Sequence, residues 1–221
     1  FVWSILYFVI RYWQELQNEI QKSKALQLQT VKAQLKMLRY QLNPHFLFNS
    51  MNSIQGLMYK DVKKADLMLT ELSEFLRYSL KHNNDIFIPL REEFEIMEKY
   101  LFIENIRFSD KLLYTIEYSD EIGNAKILSF LTQPLIENAV KYGMRSNHNE
   151  ITHIVIRATK EGDKLCIVIQ NSGQWIVKEE QGTGIQNTKE RLQNAYSYNS
   201  SIDINYNDQM VSVEIKIPYD E

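Results

Sequence analysis

The 221 residues carry 25 Lys and Arg against 28 Asp and Glu, a net charge of -3, and are 44% hydrophobic and 24% charged. That is the composition of a globular chain long enough for one large or two modest domains, and it excludes intrinsic disorder. The net negative charge argues against direct nucleic-acid binding, and a single cysteine, Cys166, excludes a disulfide framework or a Cys-rich metal site and fits a reducing compartment.

Phe1 to Ile10 is almost uniformly apolar and aromatic, and it stops at Arg11-Tyr12-Trp13. A bilayer needs about 20 apolar residues, so this stretch alone is too short to span one. Its aromatic and basic edge fits the cytoplasmic end of a spanning helix, which makes residues 1–12 the expected end of a transmembrane segment. From Trp13 to Leu42 there is no Pro or Gly, and Leu28, Val31, Leu35, Leu38 and Leu42 recur in steps of three and four. The spacing predicts a dimeric coiled-coil linker over 13–42, with a stutter where the seam fails toward Leu16 and Ile20.

Pro44 interrupts this helix, because it lacks a donor and crowds the carbonyl of Tyr40. Helical periodicity resumes with Leu47, Met51, Ile54 and Met58, breaks at Lys60-Asp61, and returns with Leu69, Leu72, Phe75, Leu76 and Leu80. Two such helices from each of two chains would build a four-helix bundle. A third helix opens at Pro89 with Glu92 and Glu93 in its first turn, where the helix dipole favours acids, and extends to Arg107. After Asp110 the pattern alternates: a strand around Leu113 to Glu117, a helix from Pro134 to Tyr142 ended by Gly143, a hairpin through Ile154 and Ile169, a helix near Glu190, and a final strand pair at Ile202 and Val211 to Ile217. The expected fold is therefore an all-helical half, 43–108, followed by an α+β domain, 109–221.

The segment Gln41-Leu42-Asn43-Pro44-His45-Phe46-Leu47-Phe48-Asn49-Ser50-Met51-Asn52 resembles the acceptor-histidine box of the LytS/YesM-like branch of sensor histidine kinases. The resemblance continues through Leu90-Arg91-Glu92-Glu93-Phe94, Tyr100-Leu101 and Ile106-Arg107-Phe108. Gln133 to Gly143 resembles the N-box of the GHKL (Bergerat-type) ATP-binding fold, which gyrase and Hsp90 share. Asn171-Ser172-Gly173 and Gly182-Thr183-Gly184-Ile185 resemble its two glycine segments, which let backbone approach a nucleotide and aim free N–H groups at phosphate.

This resemblance implies that His45 accepts the γ-phosphoryl group of ATP and that Asn49, one helical turn on, positions water for dephosphorylation of the partner. Imidazole suits the acceptor role because its neutral form offers a lone pair at cytoplasmic pH. Glu137 would orient a water or reach Mg2+, Asn138 would ligate Mg2+, and Lys141 would neutralise triphosphate charge. Tyr142, Asn171, Gly173, Gly182, Thr183, Gly184 and Ile185 would complete the ATP site. The implied partners are a second copy of the chain and a cytoplasmic response regulator of LytTR or AraC type, so that the regulator and not this chain touches DNA. The implied location is the cell membrane, with this portion facing the cytoplasm.

Two positions depart from the wider histidine-kinase pattern. Asn171 stands where an Asp usually accepts the adenine amino proton, and Trp175 replaces the second glycine of that box. An amide oxygen still accepts a hydrogen bond, but a weaker one than a carboxylate accepts. A GHKL ATPase without phosphohistidine and a non-catalytic nucleotide-binding scaffold therefore stay open as readings. His82, His148 and His153 show no metal-ligand spacing.

Overall fold

A computed structural model describes residues 11–17, 19, 44–82, 85–109, 111–146, 151–173, 183–207 and 209–220. The apolar run from Phe1 to Ile10, the coiled-coil seam from Leu28 to Leu42, His148, Trp175 and Gly182 lie outside the described residues. The chain divides into two compact units, residues 1–47 and 48–221. Among the described residues of the first unit, 11–17 are helical (α1). Among all described residues, no helix is long and apolar enough to cross a membrane.

Helix α2 spans Pro44–Met58 and begins on the proline itself. Proline suits a first helical position, since its missing N–H would have no intrahelical acceptor there and its φ is already helical. Helix α3, Val62–Lys81, is capped by Asp61, whose carboxylate accepts the Lys64 N–H at 3.0 Å. Its buried side chains, Ala65, Met68, Leu72, Phe75 and Ser79, recur every three or four residues and form one stripe. That helix packs on α4, Leu90–Arg107. The contact includes the rings of Phe75 and Tyr100, whose centroids lie 6.1 Å apart, and the Lys99 ammonium, which bonds Glu71 at 3.0 Å and also Glu74. α4 is buried around most of its circumference, with Leu90, Glu93, Phe94, Ile96, Met97, Tyr100, Leu101, Ile103, Glu104 and Ile106 all inside. A helix apolar on so many sides is a core helix, not an amphipathic surface one.

The remainder is a five-stranded sheet in the order β2-β4-β5-β7-β6, from β2 (Leu112–Glu117), β4 (Thr152–Glu161), β5 (Lys164–Ser172), β6 (Ser201–Tyr206) and β7 (Met210–Pro218). β2 runs parallel to β4, and the other neighbours are antiparallel. Helices α5 (Gln133–Ser146) and α6 (Thr183–Tyr196) pack on each other, α5 against β4 and β5 and α6 against β6. Ile154, Ile156, Ala158, Leu165, Ile167, Ile169, Val211, Val213, Ile215 and Ile217 supply the buried side of the sheet. Alternate residues of each strand face one way, so this set follows from the two-residue period visible in the sequence.

The helix–sheet order is an α+β arrangement joined to helices, as the sequence predicts. Two elements are additional. β1 (Phe87–Pro89) and β3 (Lys126–Leu128) form a short antiparallel pair that the sequence does not announce, and Pro89, expected to open the third helix, instead ends β1 in extended conformation, with α4 starting at Leu90. Three residues on each side are too few for a periodicity to register. One boundary is corrected: α5 does not end at Gly143 but continues to Ser146. Gly143 has no left-handed backbone to terminate the helix. Its role is close packing, since a Cβ there would stand 2.6 Å from Thr152 Cγ2 and 3.3 Å from the Ser172 carbonyl oxygen.

Candidate nucleotide and phosphoryl-acceptor residues

Helix α5 gathers the candidate nucleotide residues along its length. Near its start, Asn138 is half-buried, and its side-chain nitrogen lies 3.2 Å from where a Cβ on Gly184 would stand. Pro134 Cβ is 3.8 Å from the same point. The first turn of α6, which carries Thr183, Gly184 and Ile185, therefore sits directly on the Asn138 side of α5. Near the other end, Asn171 Nδ2 is 3.6 Å from the corresponding point on Gly143. From Asn138 to Gly143 the rise is about 7.5 Å, at about 1.5 Å per residue. The chain thus brings three segments that are apart in sequence, the N-box, Asn171-Ser172-Gly173 and the described part of the second glycine segment, together along one helix.

Asn171 ends β5 and is buried. Its Nδ2 donates to the Ser172 carbonyl oxygen at 3.0 Å, which orients the amide and leaves Oδ1 as its acceptor. Gly173 follows with φ of 121°, a region nearly closed to residues with a Cβ, and a Cβ there would collide with Ser146 Oγ. That hydroxyl is held by the Tyr142 and Gly143 carbonyls at 3.0 and 3.1 Å. Lys141 is exposed, with its ammonium 5.3 Å from the centroid of the half-buried Tyr142 ring. Glu137 is half-buried and accepts from Gln133 Nε2 at 2.9 Å. Burial, with the Glu104 and Glu137 carboxylates, pushes the buried Tyr100 hydroxyl well above the ordinary phenol range.

His45 stands in the first turn of α2 and is exposed, and Asn49, half-buried, follows four residues later in the same helix. Gly182 lies outside the described residues, and of Thr183 only the backbone is described. The fit of a nucleotide is tested by these contacts: a glycine wherever backbone closes on α5, a buried amide, and an exposed lysine beyond it. All three suit an ATP site. Among the described residues no group of three or more His, Cys, Asp or Glu side chains could hold a metal ion.

Sequence reasoning misses the residues that hold α5 and α6 in place. Glu93, read as a first-turn acid for the helix dipole, is instead wholly buried. Its carboxylate accepts the Thr132 N–H at 2.9 Å, the Thr132 hydroxyl at 2.8 Å and the Phe130 N–H at 2.9 Å. Burial pushes its pKa above the ordinary carboxylate range, against the pull of those three donors and of the Arg191 charge. Arg191 of α6 donates to the Phe130 carbonyl at 2.9 Å and to the Ser129 carbonyl. Phe130 itself has φ of 53°, a left-handed conformation that costs a non-glycine residue roughly 1–3 kcal/mol. One signal was available: Glu93 falls three residues after Leu90 and four before Met97, inside the apolar stripe of α4.

The Histidine kinase family profile matches residues 33–112. The chain is 31% identical over 201 residues to the sensor protein LytS of Staphylococcus saprophyticus, covering 85% of this chain and 34% of that protein. It is 30% identical over 209 residues to the sensor histidine kinase BtsS of Escherichia coli, covering 93% of this chain and 36% of that one. A solved catalytic domain, that of histidine kinase ThkA, superposes with a TM-score of 0.47 at 17% identity, over 60% of this chain and 94% of that domain. The chain thus spans about a third of the length of the curated relatives it matches. The matched segment holds His45, and the wider similarity runs through α5 and both glycine segments: the chain belongs to the LytS-like sensor histidine kinases.

Proposed function

We propose that this chain is the kinase core of a two-component sensor, which phosphorylates His45 from ATP and passes the phosphoryl group to an aspartate of a response regulator. The observation that carries the reading is the apposition of Asn138 to Gly184 and of Asn171 to Gly143 along one helix. On this reading, the apposition brings a metal-ligating amide, a phosphate-facing helix start and an adenine acceptor together along α5. Family membership supplies the acceptor histidine, and His45 is exposed to solvent.

In the reaction, a neutral ring nitrogen of His45 attacks the γ-phosphorus, the bond from that phosphorus to the bridging oxygen breaks, and ADP leaves. Asn138 would hold Mg2+ through its amide oxygen, and that ion would supply charge neutralisation to the triphosphate. Lys141 adds a second positive charge, and Glu137 orients water or the metal's hydration shell. The Thr183-Gly184-Ile185 amides, free at a helix start, attract phosphate oxygens. Asn171 Oδ1 accepts the adenine amino proton, and Tyr142, Gly173 and Gly182 shape the groove around it. The protein contributes position and charge, and the nucleophile is its own side chain. Asn49, one turn from His45, positions the water that dephosphorylates the regulator.

The full reading has residues 1–12 as the end of a membrane anchor, 13–42 as a coiled-coil linker, 43–108 as the homodimeric phosphotransfer domain and 109–221 as the ATP domain. The regulator is of LytTR or AraC type. The neutral Asn171 in place of an acid keeps one alternative in view, a nucleotide-binding chain without histidine phosphorylation. Incubation with ATP labelled on the γ-phosphate separates the readings. Acid-labile, base-stable label that is lost in His45→Gln and Asn138→Ala supports the kinase, as does loss on Mg2+ chelation. Label retained in His45→Gln refutes the acceptor assignment. Free phosphate without labelled protein favours an ATPase, and neither product favours a scaffold.

A further inference from the structure

We propose that Glu93 and Arg191 form a two-sided clamp on the Ser129–Thr132 segment that holds α5 and α6 in the relation the nucleotide groove requires, so that both act as positioning residues for ATP. The inference rests on the reading of that groove as an ATP site. It does not depend on His45 being the acceptor.

Three helices meet at these four residues. Glu93, in the first turn of α4, takes both the N–H and the hydroxyl of Thr132 on one oxygen and the Phe130 N–H on the other. The Thr132 carbonyl accepts the Leu135 and Ile136 N–H groups, so Thr132 is the residue from which α5 starts. On the opposite side, Arg191 of α6 takes the Phe130 and Ser129 carbonyls. The Phe130 residue is therefore gripped at its N–H by α4 and at its carbonyl by α6, and it is held at a φ of 53° that few side chains tolerate. Such a conformation persists only where its surroundings over-determine it.

The clamp lies about two helical turns from the groove, on the same two helices. Asn138 is six residues after Thr132 on α5, and Arg191 is seven after Gly184 on α6, about two turns. Releasing the segment removes the link that fixes where α5 begins relative to the body of α6, and with it the close approach of Asn138 to Gly184. An entirely buried carboxylate is a costly way to fill space that a leucine would fill better. Its three donors and its cationic counterpart make sense as a demand of geometry. α4 also packs along α3, through Lys99 with Glu71 and Glu74 and through Phe75 with Tyr100. A shift of α4 against α3 is therefore passed to the start of α5 through Glu93.

The test measures ATP affinity directly, by displacement of a fluorescent ATP analogue from the full chain with Mg2+ present, at a temperature well below each variant's melting point. Arg191→Met should raise the Kd for ATP about tenfold or more, Arg191→Lys should recover part of the loss, and Glu93→Gln should match Arg191→Met. The double variant should bind no worse than the weaker single one, since either change releases the segment. Folded variants whose melting point falls while Kd stays within twofold of the parent overturn the proposal, because stability alone is then at stake. If Glu93→Gln does not fold, the Arg191 variants, altered at an exposed residue, decide the matter by the same Kd criterion. A parent chain that binds ATP without labelling His45 refutes the kinase reading and leaves the clamp to be judged on Kd. A parent chain that binds no ATP refutes both.

Discussion

The side-chain nitrogen of Asn138 lies 3.2 Å from the place where a Cβ on Gly184 would stand, so the N-box helix and the second glycine segment pack closely enough that a methyl group there must displace the amide slightly. Gly184 is helical with ordinary φ, and in a helix alanine is favoured over glycine by about 1 kcal/mol. Gly184→Ala should therefore leave the melting point unchanged or raised. It should also push the Asn138 amide a few tenths of an ångström aside and weaken Mg-ATP binding, about tenfold. Calorimetric titration with Mg-ATP alongside a thermal melt checks both halves. A variant that is stabilised and binds ATP as the parent does would mean that Asn138 is not a nucleotide contact.

Gly173 poses the opposite case, in which backbone and space both demand glycine. At φ of 121° any side chain is strained, and a Cβ would also collide with Ser146 Oγ. Gly173→Ala should lose roughly 1–3 kcal/mol from the backbone alone. Adding Ser146→Ala removes the hydroxyl, so the double variant should regain the steric part of the loss and keep the backbone part. Urea unfolding of the four proteins in this cycle measures the coupling, and strict additivity would show that the two residues do not meet.

What the sequence made legible divides along physical lines. Long periodic elements announced themselves: the alternation of Ile154, Ile156 and Ala158 and the Leu165 to Ile169 strand stand where their spacing put them, and α3 forms as expected with Leu72 and Phe75 inside, although Leu69 and Leu80 of its expected run are exposed and Ala65 and Met68 are buried instead. Gly143 misled, because a glycine late in a helix reads as a stop when its actual reason is the Thr152 side chain of another element. No local pattern reports such a contact. Glu93 misled for the same reason: an acid in a first turn has a sufficient local explanation in the helix dipole, and its true partners lie 37 and 39 residues away. Short motifs named the candidate residues that the fold gathers along α5. The segment that fixes the groove, Ser129 to Thr132, carries no motif, since its function lies in backbone N–H and carbonyl groups that every residue has.

Cys166 gives a prediction tied to pH. It is almost wholly buried, and its thiol is 3.2 Å from Glu214 Oε1. Burial first, then the hydrogen bond to Glu214 and the charge of that carboxylate, push the thiol from 9.0 up to about 12. Since the thiolate is the nucleophile, Cys166 in the folded chain should react with a disulfide reagent at pH 8 at least a hundredfold more slowly than in urea. A folded pKa above the unfolded one means that the neutral thiol contributes stability fully below about 9, and that this is lost as pH rises toward about 12. Tyr196, pushed from 10.0 to about 12 chiefly by burial, adds to the loss in the upper part of the same window. Rapid native labelling at pH 8 would show that the sheet opens around β5.

Thr132→Val tests how Glu93 is held. The change keeps the shape and the N–H donor but removes the hydroxyl that reaches Glu93 Oε1 at 2.8 Å. Hydrogen bonds to charged groups contribute about 1.5–3 kcal/mol, and those between neutral groups about 1. Burial already raises the Glu93 pKa above 4.5, so Glu93 favours the fold fully below about 4.5 and progressively less as pH rises through its folded value. Removing one donor that favours the charged form raises the folded pKa further and deepens that loss. Thr132→Val should therefore be less stable than the parent by about 1–2 kcal/mol at pH 8, with the gap narrowing as pH falls toward 4.5 and Glu93 becomes neutral in both proteins. Urea unfolding at pH 8, 6 and 5 measures the gap. A gap that stays constant from pH 8 to 5 would mean that Glu93 keeps one protonation state in the folded chain across that range.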